Sequence, residues 1–384
     1  MGVLFLMPTY SAPSELWMQR MIEGLEPHIT AIGAYAPTES LWRGRIPVLS
    51  LKDAPPPVWR RVARRLRLPV EKRSRMTVSQ TLLNIVEADD IDLILVHYLE
   101  FALQFKNVWA QTRKPLFVHC HGYDVTWDWR HHDNPVVPYF GPDYLPAVRA
   151  LSQRATIIAN SKHTAEGLAA ADIDPERMVI KHYGVPIPSE PQQRSARTTG
   201  IEILYLGRLV DFKGPDLVIR AFERACERGL DAHLTLAGDG ELRTMCELLQ
   251  RRSRFAERIT LLGAVDASTG DRLRSAADIF TAHNCRGPLS HQEEAFGVSI
   301  VEAMAAALPV VSGRSGSLPE VLKENETGLL VEPGDVEAHA EALLQLSQNV
   351  HLRHRMGEAG WRRAKEFFSS ELERERLLQI MDLH

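Results

Sequence analysis

The stretch IEILYLGRLVDFKGPDLVIRAF (residues 201–222) decides how the chain is read. Its first seven residues form a continuous apolar run that suits a buried strand and ends on Gly207. A short polar loop follows, and Gly214-Pro215-Asp216 then marks a helix start, because proline fits the first helical position and a carboxylate there complements the helix dipole. A strand, a glycine turn and a helix N-terminus in succession open a βαβ unit, and the unpaired N–H groups of such a helix attract anions. Arg208 and Lys213 lie in the connecting loop, and two cations beside free N–H groups suit a diphosphate. Loop position alone fits solvated charges equally well.

The same alternation extends in both directions. VLFLM (3–7), LILVHYL (93–99), PLFVHCHG (115–122) and ATIIANS (155–161) precede the quoted stretch, and HLTLAGDG (233–240), RITLLGAV (258–265), DIFTAHN (278–284) and LPVVSG (308–313) follow it. Continuous apolar strands separated by helical patterns indicate parallel sheets covered on both faces. The chain has 384 residues, beyond the size at which a single core stops growing, so two α/β Rossmann-like domains are expected. The polar, proline-rich segment PIPSEPQQRSARTTG (186–200) reads as an exposed linker. It places one domain at 1–190 and the other at 198–364. From about Ser347 the chain is charged and helical, with no strand after GLLVEPG (328–334).

Composition narrows the function. With 45% hydrophobic residues, 24% charged residues and a formal net charge of −4, the chain carries no field that would gather nucleic acid. Cys120, Cys226, Cys246 and Cys285 are far apart, which suggests neither a zinc cage nor a disulfide framework and fits a reducing compartment. The start MGVLFLMPTYSAP lacks a basic residue before its apolar run and reads as a first strand rather than a signal peptide. Leu6 stands where a myristoylation motif needs Ser or Thr, and no apolar run is long enough to span a bilayer.

Three further segments carry chemistry. In EEAFGVSIVEAMA (293–305), Glu294 and Glu302 flank a glycine eight positions apart, and an ideal helix would set them two turns apart on neighbouring faces, a span suited to a long ligand. Ser299 to Glu302 matches a capping box with Ser299 as N-cap, so Glu302 has a purely structural reading too. Gly297 permits close backbone approach, putting the N–H groups of 296–298 within reach of a ligand. In HCHGYDVTWDWRHHD (119–133), His119 and His121 lie two apart on a strand, as a metal-binding pair would, with further ligands to come from the following loop. A histidine packed in the sheet is the plainer reading. WRRVARRLRL (59–68) is basic and amphipathic, and is read either as a solvated face or as a surface for anionic membranes.

With these segments in hand, the chain resembles the retaining glycosyltransferases of family 4. The E-x7-E pair Glu294/Glu302 and the segments GRLVDFKG, LAGDGELR, EAFGVSIVEAMAAALPVVSGRSGSLPEVL and ETGLLVEPGD follow the family's order across roughly 200–340. HGYDV (121–125), ANSKHTAEGL (159–168) and HYGVPI (182–187) match more weakly before it. The resemblance implies a GT-B fold, with a nucleotide sugar bound mainly to the C-terminal domain, the acceptor on the N-terminal side, and no metal or other cofactor. Arg208 and Lys213 would hold the diphosphate, Glu302 the ribose, and backbone near Val265 the base. Glu294, with the backbone of Phe296, Gly297 and Val298, would hold the donor sugar, and His121 would face that sugar from across the cleft. The last helix, about 365–384, would pack back on the N-terminal domain.

The implied activity is transfer from a UDP- or GDP-sugar to a glycan or lipid-linked acceptor in cell-surface polysaccharide or glycolipid assembly. It would take place in the cytoplasm at the inner face of a membrane, with peripheral contact through residues 59–75. The sequence also departs from the family. PTYSAPSELW (8–17) replaces a common Gly-Gly loop, Ala295 and Ala307 stand where glycine is frequent, and Ser317 replaces the second glycine of a common pair. The competing expectations are a metal-dependent hydrolase built on His119 and His121, a non-catalytic nucleotide-sugar-binding protein, and an epimerase of the same fold.

Overall fold

The structure, a computed structural model, describes residues 1–10, 15–35, 37–51, 77–131, 133–194 and 196–383. The basic segment 59–75 and the loop 11–14 therefore lie outside the described residues. The first sheet contains β1 (Val3–Leu6), β2 (Ile29–Ala34), β3 (Leu41–Trp42), β4 (Ile46–Ser50), β5 (Leu93–His97), β6 (Leu116–His119), β9 (Thr156–Ala159) and β10 (Met178–Ile180). A separate antiparallel hairpin pairs β7 (Arg130–His131) with β8 (Asn134–Pro138). The second sheet contains β11 (Ile201–Leu206), β12 (Ala232–Ala237), β13 (Ile259–Gly263), β14 (Ile279–Thr281), β15 (Val310–Gly313) and β16 (Gly328–Val331).

The first sheet runs β10-β9-β6-β5-β1-β2-β4-β3 and the second β13-β12-β11-β14-β15-β16. Every pairing is parallel except that of β3 with β4. In each sheet the order reverses beside the first strand, between β1 and β5 and between β11 and β14. In a doubly wound sheet the crevice beyond the strand ends at such a reversal is where ligands bind. Two reversal points, one per sheet, are thus the first structural indication of where a site lies.

The elements follow from local chemistry. β1, β5 and β6 are buried along their whole length, as strands covered on both faces must be. The helix Pro215–Glu227 starts on Gly214 in the left-handed conformation and packs Val218, Ile219, Phe222 and Ala225 into the core. Each such large side chain contributes about 1.5–3 kcal/mol when taken fully out of water. β2, β3, β4, β10 and the β7–β8 hairpin were not anticipated. Of these, β2, ITAIGA, is buried but interrupted by Gly33, and β8 is wholly exposed, so neither shows a clear period.

The chain passes between the halves twice. Val185 begins the first passage, and its N–H donates to the Phe368 carbonyl at 2.9 Å while its own carbonyl accepts from Ser370 N–H at 3.0 Å. The helix Ser370–Ile380 then lies against Leu16–Leu25, where Arg374 Nε donates to the Gly24 carbonyl at 3.0 Å. Lys181 and Glu373 form a fully buried ion pair at this junction. The linker is exposed over most of its length, as its composition suggested, but it is anchored. The guanidinium of Arg194 donates to the carbonyls of Arg274, Ser275, Ala277 and Ala306, which ties the segment to the second domain.

Candidate functional site

The strand ends at the two reversal points open into one cleft of about 680 Å³. The segments after β1, β5 and β6 supply Glu15, Tyr98, His121, Gly122 and Tyr123, with Trp17 from the first turn of the helix Leu16–Leu25. From the other sheet come Arg208, Lys213, Val265, Arg274, Glu294 and the segment Phe296 to Ser299, with Glu302 beyond it. Every site residue expected from the sequence lines this cleft.

Glu294 does not lie on a helix. The helix spans Val298–Ala305, so Glu294 sits in the loop before it and the ideal-helix spacing of the two glutamates does not apply. Ser299 is not the N-cap either. Gly297 takes that position at φ 86°, a conformation glycine adopts freely, and no side chain caps the helix. A Cβ on Gly297 would also meet Leu318 Cδ2 at 2.9 Å, so any larger residue here would have to displace that side chain as well as adopt the left-handed backbone. The N–H groups at the helix start then lie along the cleft without intrahelical partners.

Glu294 is 8% exposed, yet its Oε2 accepts from Lys213 Nζ and, at 2.9 Å, from Asn284 Nδ2. Burial alone would raise its pKa, but Lys213, Arg208 and the Asn284 amide outweigh burial and hold it below the usual carboxylate range. The sequence reading missed Asn284, which lies just past β14 with no motif around it. Among the described residues Arg208 pairs with no carboxylate, and its guanidinium lies 5.5 Å from the Phe212 ring centre. Asp211 fixes the neighbouring loop, accepting from the N–H groups of Leu289 and Ser290 at 2.9 and 2.8 Å.

Glu302 is held from both sides. Its Oε1 accepts from Arg20 Nη2 at 2.7 Å across the cleft, and its Oε2 accepts from Arg274 Nη1 at 3.1 Å. Neither arginine stood out in the sequence, since each lies on a helix outside the motifs described above.

His121 is placed beyond the end of β6 rather than on it. Its Nε2 lies 3.0 Å from His97 Nδ1, and its Nδ1 is bonded to the Tyr183 hydroxyl. Both ring nitrogens are thus engaged within the N-terminal domain. His119 pairs with His97 across β5 and β6, is fully buried, and has no hydrogen-bond partner on either nitrogen. The ligand nitrogens of His97, His119 and His121 lie within 4.8 Å of one another. The third histidine of this group therefore comes from β5, not from the loop after β6. Burial, reinforced by the charge of Lys181, depresses the pKa of all three well below the ordinary value and keeps them neutral.

Two departures from the resemblance have visible effects. A Cβ on Gly122 would come within 2.7 Å of the Ala295 methyl, so the two walls approach closely here and Gly122 leaves room for Ala295. Ala307 follows the helix at φ 55°, a left-handed position that costs a residue with a Cβ roughly 1–2 kcal/mol.

Two parallel α/β sheets whose reversal-point loops face each other across a cleft define the GT-B class of architecture. Comparison with known proteins agrees. The family described as Glycosyl transferases group 1 matches residues 187–363, and the Glycosyl transferase 4-like domain matches residues 18–184. The chain belongs to glycosyltransferase family 4. Over 175 residues it is 34% identical to a phosphatidyl-myo-inositol mannosyltransferase of Mycobacterium leprae, covering 45% of this chain and 44% of that one. Over 156 residues it is 32% identical to an N-acetyl-alpha-D-glucosaminyl L-malate synthase of Bacillus anthracis, covering 40% and 38%. These alignments span about half or less of the curated relatives. The crystal structure of Anabaena HepE in complex with UDP superposes with a TM-score of 0.77 at 19% identity, covering all of both chains, and shows the shared fold.

Proposed function

We propose that this protein is a retaining, metal-independent glycosyltransferase. It would move a sugar from a UDP- or GDP-linked donor to a glycan or lipid-linked acceptor in cell-surface polysaccharide or glycolipid synthesis, at the inner face of a membrane. The observation that carries the reading is Glu294, a buried carboxylate held ionised by Lys213, next to an unpaired arginine and a glycine-opened helix start. In this reading Arg208 and Lys213 take the diphosphate and Val265 flanks the base. Glu302 exchanges Arg20 for the ribose hydroxyls, while Glu294, Phe296, Gly297 and Val298 hold the sugar and His121 closes the opposite wall.

Departure of the nucleoside diphosphate breaks the anomeric C–O bond and leaves negative charge on the phosphate. Fixed cations and helix N–H groups stabilise that charge more in the transition state than in the bound donor. The acceptor oxygen forms the new bond on the face that the diphosphate leaves, and its proton passes to the departing phosphate oxygen, so no side-chain base is required. The relatives support a lipid-linked acceptor, since one of them is named a phosphatidyl-myo-inositol mannosyltransferase.

The test is thermal unfolding with UDP, GDP, ADP and their sugar conjugates, each with and without a chelator. A ligand at about a hundred times its dissociation constant adds roughly 2.7 kcal/mol, which raises the midpoint by a few degrees. Stabilisation by one nucleoside diphosphate, unchanged by chelator, is expected, and no shift with any nucleotide would overturn the reading. One observation favours a second reading. The convergent nitrogens of His97, His119 and His121 form the donor set that a metal-dependent hydrolase would use. It predicts bound transition metal in the purified protein and activity lost to chelator.

A further inference from the structure

Three imidazoles share one pocket at the back of the cleft. His97 and His119 face each other across β5 and β6 and are fully buried, while His121 follows β6 and lines the cleft. The ring nitrogens that converge here lie within 4.8 Å of one another, and His97 Nδ1 is 3.0 Å from His121 Nε2. Neither nitrogen of His119 has a hydrogen-bond partner, and neither does His97 Nε2. Buried polar atoms are rarely left unpaired, and three of them on two adjacent rings call for a ligand. Lys181, whose charge acts on all three rings, is paired with the buried Glu373 carboxylate, so the surroundings carry no net positive charge. Phe5 and Trp17 pack over the rings, with centres 4.5 Å from His97 and 4.4 Å from His121.

We propose that His97, His119 and His121 form an inhibitory site for a borderline transition-metal ion of the zinc or cobalt(II) kind, which enters from the cleft. Three neutral imidazoles with no carboxylate among them suit such ions and not magnesium or calcium, which require oxygen ligands. A three-histidine set leaves a fourth position for water. The ion replaces the proton held between His97 Nδ1 and His121 Nε2, and that proton moves to the far nitrogen of its own ring. His121 Nδ1 has the Tyr183 hydroxyl as partner there, but the outer nitrogens of His97 and His119 have none. A missing outer partner weakens metal binding by about 10–100-fold, so the ion is held reversibly and not as a resident cofactor. Its inhibitory effect rests on the transferase reading, in which His121 faces the donor sugar. Breaking the anomeric bond leaves positive charge on the sugar ring, and a divalent ion on His121 opposes that charge. The nucleotide lies on the opposite wall, so the ion lowers turnover without weakening nucleotide binding.

The experiment titrates the tag-free full chain, stripped of metal, with cobalt(II) chloride and reads visible absorption. One cobalt ion per chain is expected, with the intense bands of a tetrahedral site, displaced by zinc and not by magnesium. His119→Leu should weaken cobalt binding by at least about tenfold, and His97→Phe should do the same if the leucine variant does not fold. No saturable cobalt band, or one that persists in the folded variants, overturns the proposal. A second arm follows release of UDP or GDP from their sugar conjugates with and without saturating zinc chloride. Zinc should lower turnover at least about tenfold in the wild type and leave that of His119→Leu unchanged, with nucleotide stabilisation in thermal unfolding unaltered. Turnover that zinc leaves unchanged overturns the inhibitory role, and turnover that zinc accelerates overturns it in favour of the hydrolase reading. Absence of nucleotide stabilisation beside an intact cobalt site would count against the transferase reading alone.

Discussion

Lys213 and Glu294 are each nearly enclosed, with side chains 15% and 10% exposed. Removing one partner of a buried pair leaves an uncompensated charge and typically costs 3–5 kcal/mol. Lys213→Met should therefore lower the free energy of urea unfolding by about 3 kcal/mol, and Lys213→Met with Glu294→Gln should recover part of that loss. Unchanged stability in the single variant would show that the pair is not formed. The histidines behind the cleft make a prediction of opposite character. His97, His119 and His121 are held neutral below the ordinary histidine value of 6.5, so below that pH the unfolded chain binds protons that the folded chain refuses. Stability present above pH 6.5 should drain away as the pH falls towards 5, by about 1.4 kcal/mol per pH unit for each such histidine. His119→Leu should flatten the slope by one proton, as measured by unfolding across that range. At this scale the sequence showed which residues carry charge but not their partners. Asn284, Arg20 and His97 reach the site from strands and helices distant in sequence, and no spacing rule connects them to it.

Elements were the most legible level. The central strands and the helix opening at Gly214-Pro215 follow from apolar run length and turn chemistry, which act over a few residues and need no tertiary information. The start of the helix Val298–Ala305 was misread for a physical reason. Ser299 and Glu302 satisfy a capping pattern, but Gly297 reaches a left-handed conformation closed to most residues and starts the helix earlier. The helix Ser370–Ile380 gives a test at this level. Its Glu373 neutralises Lys181 from the other end of the chain, and that contact is fully buried. Glu373→Gln should cost about 3 kcal/mol in chemical denaturation, whereas replacing Lys181 and Glu373 together with Met and Leu should be close to neutral. A single variant as stable as wild type would mean that the helix is docked by its apolar side alone.

Across the whole molecule, charge pairs join the cleft walls. Asp128 accepts from Arg286 Nη2 at 3.1 Å and lies 2.8 Å from His291 Nδ1, while Glu320 lies 2.6 Å from His182 Nε2 and accepts from Lys162 N–H at 2.8 Å. Pairs this near the surface each contribute at most about 1 kcal/mol, so they bias the relative position of the halves rather than hold the fold together. Asp128→Ala combined with Glu320→Ala should increase the radius of gyration in small-angle scattering while lowering unfolding free energy by less than about 2 kcal/mol. An unchanged radius would show that other contacts set the separation. None of these pairs could be read from the sequence, because they exist only once two independently patterned domains are docked. The return of the last helix has a mechanical consequence. Where the chain leaves the first half at Val185 and re-enters it near Ser369, the two passages lie side by side and hydrogen-bonded. Two parallel pivots, like two pins on one door, suppress twisting and sideways slip and leave a single axis about which one half can swing against the other.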